Sequence, residues 1–250
     1  MFIEFLADIA KLSLFVVCSY AALNAYARRR RPHWTDHLTK RRLAVLGLLT
    51  LVVTAVKVIE DVVAKESGPV DEAILWFVRE HVPSGLTGFF RMVTLTGSAT
   101  FLVPVGLVAA VALLIARRRF EALLLTASVI TATLVVYALK AIVGRSRPDL
   151  WESQWYWGSS FPSGHTLSTA AFSTAAALCL ARIRPASGNL PMSVAMLWTC
   201  LVAISRLVLG VHWPSDVLAA MCLGAFIPLV ISVAFDLRRR GSVLEGQSPE

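Results

Sequence analysis

Apolar residues fall in seven long blocks along this 250-residue chain, separated by short polar stretches. A hydrocarbon core of about 30 Å needs about 20 apolar residues per helix, and that ruler places spans near 5–27, 43–63, 96–116, 121–143, 163–181, 191–209 and 214–236. The pattern predicts an all-α, polytopic transmembrane helix bundle. Residues 71–82, DEAILWFVREHV, are too short to cross; Ala73, Ile74, Phe77 and Val78 share one helical face, so the segment is expected to lie in the interface. The chain thus divides into an N-terminal membrane segment with a basic hinge (1–42), a six-span core (43–236) and a basic, polar tail (237–250) whose last ten residues, Gly241 to Glu250, are expected to be disordered.

The first block is interrupted by Glu4, Asp8 and Lys11, and Ala25-Tyr26-Ala27 resembles a signal-peptidase site. A signal peptide carries its positive charge before the apolar part, whereas here acids precede it and Arg28 to Arg31 follow. A retained span or membrane-associated helix is therefore expected.

Composition agrees with a bilayer, since 56% of residues are hydrophobic and only 16% charged. Lys and Arg together number 24 against 16 Asp and Glu, and the excess is clustered at Arg28 to Arg31, Lys40 to Arg42, Arg117 to Arg119 and Arg238 to Arg240, with Arg182 and Arg184 adding a smaller pair. Each cluster adjoins an apolar block. That is the positive-inside pattern of a membrane protein, and it excludes the continuous basic face of a nucleic-acid binder. Placing every cluster on the cytoplasmic side puts the N-terminus outside, the C-terminus inside, and the loops 64–95, 144–162 and 209–213 on the extracytoplasmic face. Trp151, Trp155, Tyr156 and Trp157 crowd one of those loops, as expected of rings at headgroup level. Cys18, Cys179, Cys200 and Cys222 lie inside apolar blocks with no CxxC spacing and no flanking His, which argues against a zinc site or a disulfide framework.

Titratable residues near spans are expensive, so those without a topological duty are candidates for function. Three groups stand out: Lys140 to Pro148 (KAIVGRSRP), Pro162-Ser163-Gly164-His165, and Ser205-Arg206 followed by His212 and Asp216. The charge rule, which used other residues, delivers all three to one membrane face. Lys140, Arg147 and Arg206 at one depth repel each other unless an anion sits among them, and a phosphoryl group suits such a cage. Pro162-Ser163-Gly164 reads as a helix start, with Pro in the first turn, unpaired backbone N–H groups and a glycine that admits close approach. His212 and Asp216 are four apart, as on one face of a helical turn, so the carboxylate can hold one ring nitrogen and leave the other as a nucleophile. His165 at the helix start is placed to protonate a leaving oxygen and later to activate water.

Together these residues spell Lys-x6-Arg-Pro at 140–148, Pro-Ser-Gly-His at 162–165 and Ser-Arg-x5-His-x3-Asp at 205–216. The pattern resembles the type 2 phosphatidic acid phosphatase (PAP2) superfamily, in its bacterial integral-membrane lipid phosphatase branch. The resemblance covers the six-span core and leaves 1–27 outside it. It implies phosphate binding by Lys140, Arg147 and Arg206 with support from Ser163 and Gly164, His212 as nucleophile, Asp216 as its partner and His165 as acid. It further implies a metal-independent enzyme without cofactors in a bacterial inner membrane, acting from the extracytoplasmic face on a lipid phosphate or pyrophosphate, with no obligate protein partner. Undecaprenyl pyrophosphate is the leading expectation, because an outward site suits recycling of a carrier lipid. Phosphatidic acid, phosphatidylglycerol phosphate and lipid A phosphates are alternatives, as is transfer to an acceptor lipid instead of water. A non-enzymatic alternative, an anion transporter, would use the cations as a pathway site but leaves the pairing of His212 with Asp216 unexplained.

Overall fold

The computed structural model describes residues 2–30, 39, 42–151 and 158–245. Among these residues the chain is all-helical: α1 (Phe2–Arg30), α2 (Arg42–Val63), α3 (Gly68–His81), α4 (Thr87–Thr96), α5 (Ala99–Ile115), α6 (Arg119–Val143), α7 (Gly164–Ile183), α8 (Leu190–Val208) and α9 (Pro214–Glu245), with 3-10 turns at Ser84–Leu86 and Pro185–Ser187. The expectations for Arg31, Lys40 and Arg41, for Trp155, Tyr156 and Trp157, for the side chains of Glu4, Asp8 and Arg238 to Arg240, and for the tail beyond Glu245 fall outside what is described.

Among the described residues six helices are long and apolar enough to cross a bilayer, and a seventh crossing results if Ser84–Thr96 and Ala99–Ile115 count as one broken span. Each of the seven predicted blocks falls on a helix, but the third differs. It begins at Ala99 and is preceded by α4, which the hydropathy pattern left in a loop, and the two axes bend by 43°. The break has a local cause. Ser98 adopts an extended backbone (φ −75°, ψ 155°) as the N-cap of α5, and its Oγ donates to the Leu95 carbonyl instead of continuing the helix. At the other end, α9 runs unbroken through Gly241 to Glu245, where disorder was expected. The Leu-Arg-Arg-Arg stretch after the apolar part contains good helix formers, so the span's helix continues past its apolar limit.

Helix α7 is the hub, packing on α6, α8 and α9. Of its apolar window 61% is buried, against 6% for α2, whose residues are mostly half-buried or exposed. The reason lies in side-chain size. Lipid tails are as apolar as leucine, so helices in a bilayer associate through close packing, which small residues permit. Ala170, Ala171, Ser173, Thr174, Ala175 and Ala177 give α7 such a surface. At Gly224 of α9, an added Cβ would sit 2.5 Å from the Leu167 carbonyl oxygen, so only glycine lets α9 lie against α7 at this depth.

Helix α3 turns Ile74, Trp76 and Phe77 outward, in keeping with an interfacial position. Its inward residues are Leu75 and Asp71, and the latter is only 2% exposed. A buried carboxylate on this helix was not expected from the sequence.

Candidate active site

The site forms at one end of the bundle. Within α6, α7 and α8 the candidate residues Lys140, His165 and Arg206 lie at the ends opposite to Arg119, Arg182 and Leu190.

Helix α6 stops at Gly144, whose left-handed backbone (φ 59°, ψ 25°) returns its N–H to the Lys140 carbonyl. Lys140 thus stands in the last turn, and its ammonium donates to the carbonyl of Ser159. From Arg145 to Asp149 the chain has no regular structure, and Ser160 ties it down, its N–H donating to the Arg145 carbonyl (2.8 Å) and its Oγ to the Ser146 carbonyl (3.0 Å). This carries Arg147 across the site, where its Nη1 donates to the Val211 carbonyl at 2.8 Å and reaches His212 Nε2 at 3.3 Å.

The Pro-Ser-Gly-His segment differs slightly from expectation. Ser163, in an extended conformation, is the N-cap of α7 and Gly164 its first residue, so Pro162 precedes the cap instead of occupying the first turn. Ser163 is fully buried; its Oγ pairs with Thr166 Oγ1 at 3.0 Å and its N–H donates to the Asp216 carbonyl at 3.2 Å. Half-buried His165 follows in the first turn, within electrostatic reach of Arg206, His212, Arg147 and Lys140.

Arg206, near the end of α8, is 1% exposed, and its Nη1 donates to Thr94 Oγ1 on α4 at 2.7 Å. A tight turn then closes with Val211 N–H on the Arg206 carbonyl (3.2 Å) and sets His212 before α9. His212 is therefore not in a helix, contrary to the one-face reading of the His-x3-Asp spacing; only Asp216 is helical. The cause is Pro214, which suits the first turn of a helix, so α9 starts there. Asp216 holds the start as half of a capping box, accepting from Trp213 N–H at 3.0 Å through Oδ2. The same Oδ2 lies 3.4 Å from His212 Nδ1, an approach longer than an ordinary hydrogen bond.

Arg147 offers only donors, so its approach to Nε2 requires a lone pair there and places the ring proton on Nδ1, facing Asp216. Burial pushes the His212 pKa down to about 4; Asp216 opposes this, while Arg206 and Arg147 add to it. The ring is thus neutral at neutral pH, with a nucleophilic nitrogen turned towards a guanidinium.

Three residues of this end were not singled out in the sequence. Thr94 lies on the unexpected α4. Arg145 sits two positions before Arg147, and its guanidinium reaches Asp216 Oδ1 (2.8 Å) and Asp71 Oδ2 (2.7 Å). A second arginine within two residues of Arg147 was a visible signal; for Asp71 there was none, since acids on an interfacial helix normally face water.

The chain matches the family model described as the PAP2 superfamily over residues 121–240. It is 37% identical over 137 residues to the decaprenylphosphoryl-5-phosphoribose phosphatase of Mycobacterium tuberculosis, a match covering 52% of this chain and 70% of that one. It is 30% identical over 118 residues to the lipid A 1-phosphatase of Rhizobium johnstonii, covering 43% of this chain and only 45% of the relative's length. Among solved structures it is similar to the crystal structure of a transmembrane PAP2-type phosphatidylglycerolphosphate phosphatase from Bacillus subtilis, with TM-score 0.69 and 25% identity over 77% of this chain and 96% of that one. The fold and site define a helical, membrane-embedded class of protein. The chain belongs to the PAP2 superfamily.

Proposed function

We propose that this protein is a membrane phosphatase that hydrolyses a lipid phosphate or pyrophosphate through a phosphohistidine on His212. The observation that carries the reading is the aim of the two ring nitrogens: Nδ1 towards Asp216 and Nε2 towards Arg147, a residue suited to bind phosphate oxygens. In the first step the Nε2 lone pair forms a bond to phosphorus and the bond to the leaving oxygen breaks, that oxygen taking a proton from His165. In the second, water attacks the phosphohistidine, its proton passes to His165, and the phosphorus–nitrogen bond breaks to release inorganic phosphate. Lys140, Arg147 and Arg206, with Ser163 and the free N–H groups at the start of α7, stabilise the charge spread over the equatorial oxygens. Three fixed cations supply what a metal ion supplies elsewhere, so the reaction is metal-independent in this reading.

The site faces the extracytoplasmic side of a bacterial inner membrane, a placement supported by Arg119 and Arg182 at the far ends of the helices that carry Lys140 and His165. An isoprenoid carrier, foremost undecaprenyl pyrophosphate, is the leading substrate. The relative named for a decaprenylphosphoryl-5-phosphoribose supports a polyprenyl lipid, and the solved structure named for phosphatidylglycerolphosphate supports the glycerolipid alternative. The test is phosphate release by the purified protein, in detergent with a chelator, from a panel of undecaprenyl pyrophosphate, phosphatidic acid, phosphatidylglycerol phosphate and lipid A. Fastest release from the prenyl pyrophosphate supports the substrate; release from none overturns the enzyme, and phosphorylated acceptor lipid without free phosphate identifies a transferase.

A further inference from the structure

Arg145 belongs to none of the positions that bind phosphate in the reading above, yet it is among the most fully engaged side chains of the site. Its Nη1 donates to Ser215 Oγ (2.7 Å) and Asp216 Oδ1 (2.8 Å), and its Nη2 to Ser67 Oγ (3.0 Å) and Asp71 Oδ2 (2.7 Å). Four contacts use the four Nη hydrogens, while its face lies 5.3 Å from the centre of the Trp213 ring. Asp71 is equally committed: Oδ1 accepts from Ser215 N–H (2.8 Å), and Oδ2 from Ser215 Oγ (2.6 Å) as well as from Arg145. The Asp71 carboxylate therefore caps the first turn of α9 from another helix, where the exposed N–H groups favour an anion.

These contacts converge on one variable, the orientation of the Asp216 carboxylate. Arg145 fixes Oδ1, so Oδ2 is left to Trp213 N–H and His212 Nδ1. Asp71 fixes the other arm of Arg145 and the turn from which Asp216 projects. We propose that Arg145 and Asp71 form a clamp of positioning residues that aims Asp216 at His212, and through it His212 Nε2 at phosphorus, so that α3 is a working part of the site. The proposal rests on the phosphohistidine reading. Arg145 touches no phosphate in it, which separates this arginine from Arg147 two residues on. Partners that orient a reacting group govern the chemical step more than ground-state binding.

The test compares full-length Arg145→Gln, Arg145→Lys, Asp71→Asn and the double Asp71→Asn/Arg145→Gln with wild type in detergent, using whichever lipid phosphate the wild type hydrolyses. The readouts are kcat, KM, the inhibition constant of inorganic phosphate, and elution as a folded monodisperse species. The clamp predicts kcat lower by about 100-fold in Arg145→Gln and about 10-fold in Asp71→Asn, with phosphate inhibition within about threefold of wild type. Arg145→Lys, which can reach one carboxylate but not both, recovers part of the loss, and the double variant is no worse than Arg145→Gln because both residues act as one unit. Retained kcat in the single variants overturns the clamp. So does phosphate inhibition weakened about tenfold or more, which makes Arg145 a phosphate ligand, and so do additive losses in the double variant. Aggregation of Arg145→Lys and Asp71→Asn alike assigns the network to folding alone and also overturns it. Failure of the wild type to release phosphate from any lipid sinks the underlying enzyme reading, whereas turnover that survives in the variants sinks only the clamp.

Discussion

Replacing Asp216 by Asn changes one atom of a side chain that is 0% exposed and makes three distinct contacts. Arg145 Nη1 donates to one carboxylate oxygen at 2.8 Å; Trp213 N–H donates to the other at 3.0 Å, and His212 Nδ1 lies 3.4 Å from it. An asparagine must turn its carbonyl towards Arg145, since the opposite rotamer sets an NH2 group against a half-buried cation. The NH2 then faces Trp213 N–H, leaving that donor unmet at a stability cost of about 1–3 kcal/mol. It also faces Nδ1, and donation to Nδ1 moves the ring proton to Nε2, the atom that must carry the lone pair. In a serine-protease triad the equivalent carboxylate-to-amide change costs on the order of 10,000-fold in kcat through the wrong tautomer, or about 5 kcal/mol of barrier. Here the starting contact is longer, so a loss of about 1,000-fold or more is expected, with KM changed by less than about threefold. The assay is phosphate release under saturating lipid substrate, with thermal unfolding in detergent to confirm a folded variant. A folded Asp216→Asn protein that keeps more than about a tenth of wild-type kcat refutes the reasoning.

Three further outcomes follow from the geometry. Because burial holds the His212 pKa at about 4, its ring stays neutral from neutral pH down to that value. An unfolded ring protonates near about 6.5, so His212 contributes no acid limb to kcat/KM at 6.5, and the stability it affects falls as pH drops from about 6.5 to about 4 and is flat above; an acid limb of kcat/KM near 6.5 that disappears in no other histidine variant contradicts the environment described. Thr94→Val removes the hydroxyl that accepts from Arg206 Nη1 at 2.7 Å, and loss of a hydrogen bond to a charged group, about 1.5–3 kcal/mol, lowers kcat/KM by about 10- to 100-fold; unchanged kinetics would show that α4 plays no part in holding Arg206. Gly224→Ala places a Cβ 2.5 Å from the Leu167 carbonyl oxygen and 2.6 Å from Ala170 Cβ, so the unfolding temperature in detergent falls, with about 1–3 kcal/mol lost; an unshifted transition would mean that α7 and α9 can separate freely.

Much of this architecture was legible because a bilayer leaves few options: uninterrupted apolar blocks of about 20 residues become helices. The blocks at 43–63, 121–143, 163–181, 191–209 and 214–236 needed shifts of no more than two residues at their starts, and the last of these continues as a helix beyond its apolar limit. Hydropathy misses what happens at helix ends. It gave no warning of the bend at Gly97 and Ser98, which a serine-to-carbonyl bond sets, nor of the separate helix α4. The three motif groups meet because their helices end at one side, and the order of basic and site residues along each helix reveals that much. The His-x3-Asp spacing suggested a shared helical face, whereas Pro214 starts the helix between the two and a capping interaction creates the approach. Asp71 and its link through Arg145 to Asp216 join positions 71, 145 and 216, and no local pattern announces a contact over that separation.

The central claim is that His212 becomes covalently phosphorylated. The wild-type protein in detergent is mixed with a lipid substrate carrying a radioactive phosphate, quenched in alkali within the first turnovers, digested and mapped. The account predicts label on the peptide containing His212, stable in base and lost in mild acid as a phosphorus–nitrogen bond requires, and absent from folded His212→Ala. Full hydrolytic turnover with no acid-labile label, or label retained in His212→Ala, would contradict it.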